Sequence, residues 1–264
     1  MTTTFIPCSA KLPIIALIAG AFFGNAWWVA PSAYFVGIAA IICSGIILKK
    51  TRLFAGDPAP FVMELPAYHM PTLSNVLRSM WERGWSFIKK AGTVILLSTI
   101  VIWFTSSYGF VDGAFTAVED INHSLMAAIG KSFAWIFTPL GFGDWKAAVA
   151  SINGLVAKEN LVSTFGILLG FAKVAEDGAE YWSVLQSSMT MAAGYSFLVF
   201  NLLCAPCFAA IGAIKREMNN ARWTWIAVGY QTIFAYAVSL CVYQFGSLLT
   251  GGGFGVGTIA AVVV

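Results

Sequence analysis

Apolar residues run through this sequence in long stretches, which a few prolines and polar clusters interrupt. A membrane-spanning helix needs about 20 mostly apolar residues, so the pattern predicts an all-α, polytopic transmembrane helix bundle. Broken or re-entrant helices and one amphipathic helix at the membrane interface complete this predicted fold. The predicted apolar spans are residues 5–23, interrupted at Pro7 and Pro13, and residues 34–48, 93–105, 181–213 and 223–249.

The composition also indicates a membrane protein. Of the 264 residues, 59% are hydrophobic and 10% are charged, whereas a soluble domain has about 25% charged residues. The mean hydropathy is +0.79. We therefore expect a multi-pass protein whose surroundings are membrane lipid, and we expect no nucleic-acid partner.

Residues 72–90 have the pattern of an amphipathic helix that lies in the membrane interface. Trp81 and Trp85 stand four residues apart and so share one side of a helix, while Arg and Lys residues supply a polar face. Asn75 is the predicted cap of this helix. We expect the helix to continue into the span at 93–105.

The basic residues predict which loops face the cytoplasm. Seven Lys or Arg residues lie in 49–90, and loops rich in these residues favour the cytoplasmic side. The connector 49–90 is therefore placed inside, and residues 106–144 outside. The basic loop at 215–222 is placed inside by the same rule, so the chain must cross the membrane an odd number of times between these two regions.

A re-entrant hairpin at 145–170 satisfies that requirement. Its two apolar halves, 147–157 and 161–170, are each about half a span long at 1.5 Å per residue. Three polar residues, Lys158, Glu159 and Asn160, separate the halves.

The pattern divides the chain into four regions. They are the first two spans (1–48), a cytoplasmic connector with the interface helix (49–90), a gate-type membrane region (91–249) and a flexible tail (250–264).

The strongest candidate site is the segment 201–216, where polar and sulfur groups interrupt apolar sequence. Pro206 lacks an N–H group and cannot continue a helix unperturbed. Backbone carbonyls freed in a membrane are tolerated only when they are buried in protein or line a cavity. A broken helix with the thiols of Cys204 and Cys207 at the break is typical of a place where an ion binds and leaves. Pro7 and Cys8 repeat the Pro-Cys pair near the start of the chain.

Other polar residues in the apolar segments leave two interpretations open. Glu159 is either an ion-pathway carboxylate or the structural partner of Lys158, because a charge at membrane depth faces a cavity or a partner. Asn201 either coordinates substrate or hydrogen-bonds freed backbone, and Ser163 would line the same break as Glu159. Cys43 and Cys241 adjoin no helix breaker and are interpreted as packing residues.

Two further motifs resemble nucleotide, redox or zinc sites, but each lacks a part that such a site needs. Gly130-Lys131-Ser132 resembles the end of a phosphate-binding loop, but the first glycine of that motif is replaced by Leu125. The CxxC of Cys204 and Cys207 lacks both the βαβ setting of a redox motif and a second pair for zinc.

Six ordered motifs resemble the C-terminal membrane half of FeoB-type ferrous iron transporters. They are Ile-Pro-Cys-Ser-Ala-Lys-Leu-Pro at 6–13, Phe-Val-Met-Glu-Leu-Pro at 61–66, Met-Trp-Glu-Arg-Gly-Trp-Ser-Phe-Ile-Lys-Lys-Ala-Gly at 80–92, Gly-Phe-Gly-Asp-Trp at 141–145, Ala-Lys-Glu at 157–159 and Asn-Leu-Leu-Cys-Ala-Pro-Cys at 201–207. The family's two Pro-Cys cysteines fall on Cys8 and Cys207, and its glutamates fall on Glu64 and Glu159. Cys204 departs from the family, in which an aromatic residue is common at that position.

The resemblance implies a membrane-embedded part of an Fe²⁺ importer in the bacterial inner membrane, with the second gate region of the family. Such transporters carry an N-terminal GTPase domain and an upstream membrane half, which are expected as partners on the same or a separate chain. Met1 falls inside the family pattern, so we expect this chain to belong to a longer protein and not to transport alone. GTP would bind only to the missing domain, and no enzyme activity or cofactor is expected here. A homo-oligomer is left open.

Two other functions compete with iron transport. One is a gate-type carrier of another small solute, such as a nucleoside, and the other is a membrane assembly module without a transport path. The sulfur groups favour iron, because a nucleoside site needs aromatic and amide groups more than thiols. The metal-site candidates are Cys8, Cys207, Glu159, Asn201, Cys204 and Ser163.

A cysteine probe at position 179 tests the predicted topology. The hairpin places residues 171–180 outside, so an Ala179→Cys probe in a background without native thiols should react with a membrane-impermeant reagent from the external side. Labelling from the cytoplasmic side only would eliminate the hairpin.

Overall fold

A computed structural model describes residues 2–24, 26–51, 70, 72–111, 114–118, 121–156, 158, 160–171, 177–251 and 256–263. The described residues form eleven α-helices and one two-stranded antiparallel hairpin. The helices are α1 (Leu12–Phe23), α2 (Val29–Lys50), α3 (Leu73–Ser107), α4 (Leu125–Phe137), α5 (Trp145–Val156), α6 (Asn160–Leu168), α7 (Trp182–Ser188), α8 (Met191–Leu203), α9 (Phe208–Met218), α10 (Ala221–Leu249) and α11 (Val256–Val263). The strands are β1 (Tyr108–Val111) and β2 (Ala114–Ala117).

The predicted helical membrane fold is confirmed. Among the described residues, α2 and α10 are long and apolar enough to cross a membrane, and a third crossing exists if the bent pair of α4 and α5 counts as one span. These helices contain the predicted spans at 34–48 and 223–249. The sides of the membrane on which the loops lie stay a prediction.

The start of the chain is more broken than one interrupted span. Residues 6–8 are extended between two short 3₁₀ turns, Thr3–Phe5 and Ser9–Lys11, so the predicted interruption at Pro7 is confirmed. The interruption predicted at Pro13 is wrong, because Pro13 stands in the first turn of α1. Proline is favoured there, where its missing N–H has no helical partner to lose.

The predicted amphipathic helix and the span after it form one continuous helix, α3. The rings of Trp81 and Trp85 stack with centroids 5.9 Å apart, as their spacing predicts. Asn75 lies inside α3 and does not cap it, since Thr72 is the residue before its first turn. Several side chains of α3 and residues 52–69 of the connector lie outside the described residues.

The region 106–144, predicted as an external loop, contains the hairpin of β1 and β2 and the helix α4. Ser124 caps α4, because its Oγ accepts a hydrogen bond from the backbone N–H of Ala127. The axes of α4 and α5 differ by 97° across a short break. Side chains of α10 hold this break, since Tyr236 donates to Ile136 O at 2.8 Å and Gln244 donates to Pro139 O at 2.9 Å.

The two halves of the predicted re-entrant hairpin are α5 and α6, and they fold back on each other. The Asn153 Nδ2 group of α5 donates to Thr164 Oγ1 of α6 at 2.7 Å, and both side chains are buried. Residues eleven apart in one continuous helix would be about 16 Å apart. The chain therefore reverses direction between α5 and α6, as predicted.

The core lies around α8, which packs against α1 and against α10. Buried aromatic rings join α6, α8 and the segment before α5, with Phe197 centred 5.1 Å from Phe142 and 5.9 Å from Phe165. Ser196 of α8 and Ser239 of α10 are fully buried, and their hydroxyls lie 2.8 Å apart. Such hydrogen bonds and small residues are the usual means by which helices associate in a membrane.

The described part of the predicted flexible tail is the helix α11, which packs against α10. Thr258 is buried and its Oγ1 donates to Gln244 Oε1 at 3.2 Å. Ala261 is also buried, and its carbonyl accepts the thiol of Cys241 at 3.5 Å. This part of the tail is therefore ordered by tertiary contacts.

Removing the Asn153–Thr164 hydrogen bond should destabilise the hairpin. Asn153→Ala leaves a buried hydroxyl without its partner, and we expect a loss of about 1–3 kcal/mol in the free energy of unfolding. The measurement is reversible unfolding in detergent for Asn153→Ala, Thr164→Val and the double variant. Additive effects of the two substitutions would contradict a direct bond.

The close approach of α2 to the extended segment 6–8 depends on Gly37. A Cβ at this position would lie 2.8 Å from the carbonyl oxygen of Phe5. We expect Gly37→Ala to lower the free energy of unfolding by about 1–3 kcal/mol through overpacking. Gly45, on the same helix with open space at its Cβ position, is the control. Gly45→Ala should be neutral or stabilising, because alanine favours helices by about 1 kcal/mol over glycine, and equal losses for both variants would contradict the close approach.

Candidate functional site

The helix break predicted around Pro206 lies between α8 and α9, and we call residues 204–207 the α8–α9 break. The backbone is extended at both Cys204 (φ −61°, ψ 168°) and Cys207 (φ −59°, ψ 160°). A helical carbonyl accepts the N–H group four residues later. For Leu202 that residue is Pro206, which has no N–H group to donate. The carbonyl groups at the end of α8 therefore need other donors.

Two buried lysines supply those donors. Lys11 Nζ donates to Leu202 O at 2.6 Å and to Thr4 O at 2.8 Å. Lys158 Nζ donates to Asn201 O at 2.6 Å and to Cys204 Sγ at 3.1 Å. The two lysines are only 3% and 5% exposed. Positive charge is favourable at a helix C-terminus, where the last carbonyls carry a partial negative charge.

No carboxylate among the described residues forms an ion pair with either lysine. The Arg78–Glu82 ion pair lies elsewhere, on the surface of α3. Burying an ammonium group costs several kcal/mol unless hydrogen bonds and nearby charge compensate for the lost water. Here the compensation comes from backbone carbonyls and sulfur. Glu159, the predicted partner or pathway carboxylate, lies outside the described residues.

Thiols from two segments that are distant in sequence lie within electrostatic range of one ammonium group. The charge of Lys11 interacts with Cys8, Cys204 and Cys207, and also with Lys158. Cys204 is buried, Cys207 is half-buried and Cys8 is exposed. The structure thus brings Cys8, from the start of the chain, into the electrostatic surroundings of the α8–α9 break.

The N-terminal segment positions Lys11 through its own local structure. Cys8 is extended (φ −97°, ψ 171°), and its carbonyl accepts the backbone N–H of Lys11 at 2.9 Å. This bond closes the short 3₁₀ turn Ser9–Lys11, after which α1 begins. One 3₁₀ turn therefore links the backbone of Cys8 to that of Lys11.

Asn201 takes part in the site through its backbone. Its side chain is 2% exposed and donates from Nδ2 to Phe197 O at 2.9 Å and to Ser151 Oγ at 3.4 Å. These bonds tie α8 to itself and to α5. The carbonyl of Asn201 is the acceptor for Lys158.

The remaining candidates are spread more widely. Ser163 is exposed on α6, while its neighbours Val162 and Thr164 are buried. Within the described part of the chain, no three His, Cys, Asp or Glu side chains are close enough to hold a metal ion together. A cation at the break would therefore depend on backbone carbonyls and sulfur, or on Glu159.

The contacts of Lys11 were not predicted from the sequence. The available signal was a lysine in apolar sequence between two prolines, Pro7 and Pro13. Its acceptor on Leu202 is 191 positions away, and no local pattern predicts a contact of that range.

Comparison with family models matches two parts of the chain. Residues 30–83 match the family described as "Ferrous iron transport protein B C terminus". Residues 88–221, about half of the chain, match the Gate family, described as "Nucleoside recognition". The second match contains α4 to α9 and with them the α8–α9 break.

Curated relatives extend the similarity over nearly the whole chain. The Fe(2+) transporter FeoB of Staphylococcus aureus (strain COL) is 36% identical over 245 residues, which cover 92% of this chain and 35% of the relative. The Fe(2+) transporter FeoB of Methanocaldococcus jannaschii is 36% identical over 249 residues, which cover 92% of this chain and 36% of the relative. The corresponding protein of Helicobacter pylori is 29% identical over 278 residues, which cover 93% of this chain and 43% of the relative.

No solved structure matches the chain. The chain spans about 35% of the length of the Staphylococcus aureus relative. The resemblance stated from the motifs is confirmed by both comparisons, since the family models and the relatives agree over the same residues. The chain belongs to the Gate family, its residues 30–83 match the FeoB C-terminal family, and it is homologous to a C-terminal portion of about 35% of the FeoB transporters.

Proposed function

We propose that this chain forms part of the ion pathway of a ferrous iron transporter, with Fe²⁺ as the transported substrate. The observation that carries the proposal is the α8–α9 break itself, where the carbonyls of Leu202 and Asn201 and the Cys204 thiol already accept cationic groups. Family membership supports it, because the relatives are named as Fe(2+) transporters.

The proposed pathway is lined by Cys8, Cys207 and Glu159. Cys204 and Asn201 contribute a sulfur atom and a backbone carbonyl at the buried end of α8. Ser163 has the least support as a ligand, because it is exposed on α6.

Ferrous iron suits this set of groups. It accepts sulfur, carboxylate and carbonyl ligands, and sites of mixed type do not hold it as tightly as a closed thiolate cage. Conduction needs binding that is strong enough to admit the ion and weak enough to release it. Two thiols and one carboxylate beside backbone oxygens meet both conditions.

The parts of the relatives that this chain does not cover are the proposed partners. We propose that an N-terminal GTPase domain and an upstream membrane half act together with residues 1–264, and that GTP binds only there. The proposed location is the cell membrane, which in a bacterium is the inner membrane. The archaeal relative from Methanocaldococcus jannaschii shows that the family is not restricted to bacteria.

A nucleoside carrier is the second candidate, and the description of the matching Gate family favours it. The described break offers ammonium, thiol and carbonyl groups, which suit a cation better than the flat ring of a nucleobase. A membrane assembly module without its own pathway is the third candidate, and it predicts no solute binding.

Thiol substitutions test the proposed pathway in a chimera that joins the N-terminal part of the Staphylococcus aureus relative to residues 1–264. Cys8→Ser or Cys207→Ser should lower Fe²⁺ uptake by at least about tenfold, because a hydroxyl is a much poorer ligand than a thiol for this ion. The measurement is radioactive iron uptake in cells that lack ferrous transport, at matched protein levels.

Cys43→Ser and Cys241→Ser are the matched controls, because neither cysteine adjoins the break. They should leave uptake unchanged. Equal losses for all four variants would contradict the pathway and leave the cysteines as packing residues. Uptake of labelled nucleosides by the chimera, without iron uptake, would favour the second candidate.

A further inference from the structure

We infer that Lys11 and Lys158 are tethered cations that occupy the oxygen and sulfur groups where a transported ion would bind. The inference rests on the proposed function and adds a specific mechanism to it. In the described conformation the α8–α9 break is closed, and it admits an ion only when the two ammonium groups withdraw.

The acceptors of the two ammonium groups are of the kind that a metal ion uses. The two ammonium groups contact four of them: Thr4 O, Leu202 O, Asn201 O and Cys204 Sγ, at 2.6 to 3.1 Å. Carbonyl oxygen and sulfur are also the groups that a transition-metal cation accepts. A carbonyl oxygen has two lone pairs, but a metal ion bound to the same oxygens would stand directly beside the ammonium charges and be repelled by them.

Charge balance also links the lysines to the ion. Two ammonium groups carry the same total charge as one Fe²⁺ ion, so exchanging them for the ion leaves the charge at the break unchanged. Without that exchange, a divalent ion would stand beside two like charges in a poorly solvated place, where repulsion at about 4 Å is large. Among the described residues no carboxylate neutralises either lysine. Withdrawal of the lysines is thus the least costly way for the ion to enter.

The lysines also have the freedom to leave. Each ammonium group ends a flexible four-carbon stem. Lys158 lies in the non-helical turn between α5 and α6, and Lys11 ends a single 3₁₀ turn. Thr4 Oγ1 is buried, and it has no hydrogen-bond partner within the described part of the chain. One further oxygen beside the Lys11 site is therefore available to an ion.

Amine labelling of the unmodified chain tests the inference. The purified chain in lipid nanodiscs is treated with an amine-acylating reagent without oxygen, with and without saturating Fe²⁺, and modified lysines are quantified by mass spectrometry. Lys11 and Lys158 are buried, so labelling should be slow without the ion and several-fold faster with it. Lys131 is an exposed control that also donates to a carbonyl, Asn122 O at 3.2 Å, and its labelling should not change.

Charge-removing variants give a second, independent readout. Lys11→Met or Lys158→Met removes one competing cation, so the Kd for Fe²⁺ should fall by at least about tenfold in calorimetry. Lys158→Arg keeps the charge and should leave the Kd high. Lys131→Met removes one charge away from the break and should not change it.

The outcomes separate the two proposals. If Fe²⁺ binds through Cys8 and Cys207 without changing lysine labelling, the tethered-cation mechanism is overturned and the pathway stands. The same holds if both Met variants bind Fe²⁺ with the Kd of the unmodified chain. Absence of Fe²⁺ binding to the chain and to both Met variants overturns both. Binding that appears only in the Met variants supports the mechanism. If the variants do not fold, the labelling of the unmodified chain decides the question alone.

Discussion

The missing N–H group of Pro206 is the constraint on which the arrangement of the site depends. It leaves the carbonyl of Leu202 without a helical partner in a place that water does not reach. An unsatisfied buried carbonyl costs about 1–3 kcal/mol, so a donor must come from elsewhere. That donor is Lys11, 191 residues earlier in the chain, and its short turn brings Cys8 with it. Lys158 donates to the carbonyl of Asn201 and so links the turn between α5 and α6 to the end of α8. The end of α8 at this proline thus gathers three distant segments.

A comparison of the two helix breaks shows why the α8–α9 break differs from an ordinary structural one. At the bend between α4 and α5, the freed carbonyls of Ile136 and Pro139 accept from Tyr236 and Gln244. Those donors are neutral, so replacing them with an ion would add charge to the bend. At the α8–α9 break both donors are cations, and replacing the two of them with one divalent ion adds no charge. The same requirement for hydrogen bonds has therefore been met by groups of different charge, and only one of the two breaks is suited to exchange with a cation.

Hydrophobic patterning predicted the features that depend on local sequence. The length of the apolar stretches predicted the spanning helices α2 and α10. A proline predicted the break at Pro206, and a polar cluster predicted the reversal between α5 and α6. The helix α4 was missed, because its 13 residues are shorter than a span and its apolar positions cover one face only. The helix α11 was missed because it follows a glycine-rich stretch, and its order comes from packing on α10. The partners of Lys11 and Asn201 depend on how distant helices pack, which periodicity does not encode. The Pro-Cys repeat at Cys8 was visible in the sequence, while the two lysines that donate to the carbonyls of the break were not predicted.

The position of Cys8 depends on α2 as well as on its own prolines. The buried residues of α2 are Val29, Ala33, Gly37, Ala40 and Ser44, which form a single stripe of mostly small side chains. Small residues let backbones approach closely, and this is the main way helices associate where lipid removes the hydrophobic driving force. Ser44 fixes the stripe against α10 through its 2.7 Å hydrogen bond with Tyr230, and Gly37 admits the carbonyl of Phe5. The extended segment that carries Cys8 is thus held between α2 and the lysine-capped end of α8. The packing of α2 therefore helps to fix where Cys8 and the backbone of Lys11 lie relative to the end of α8.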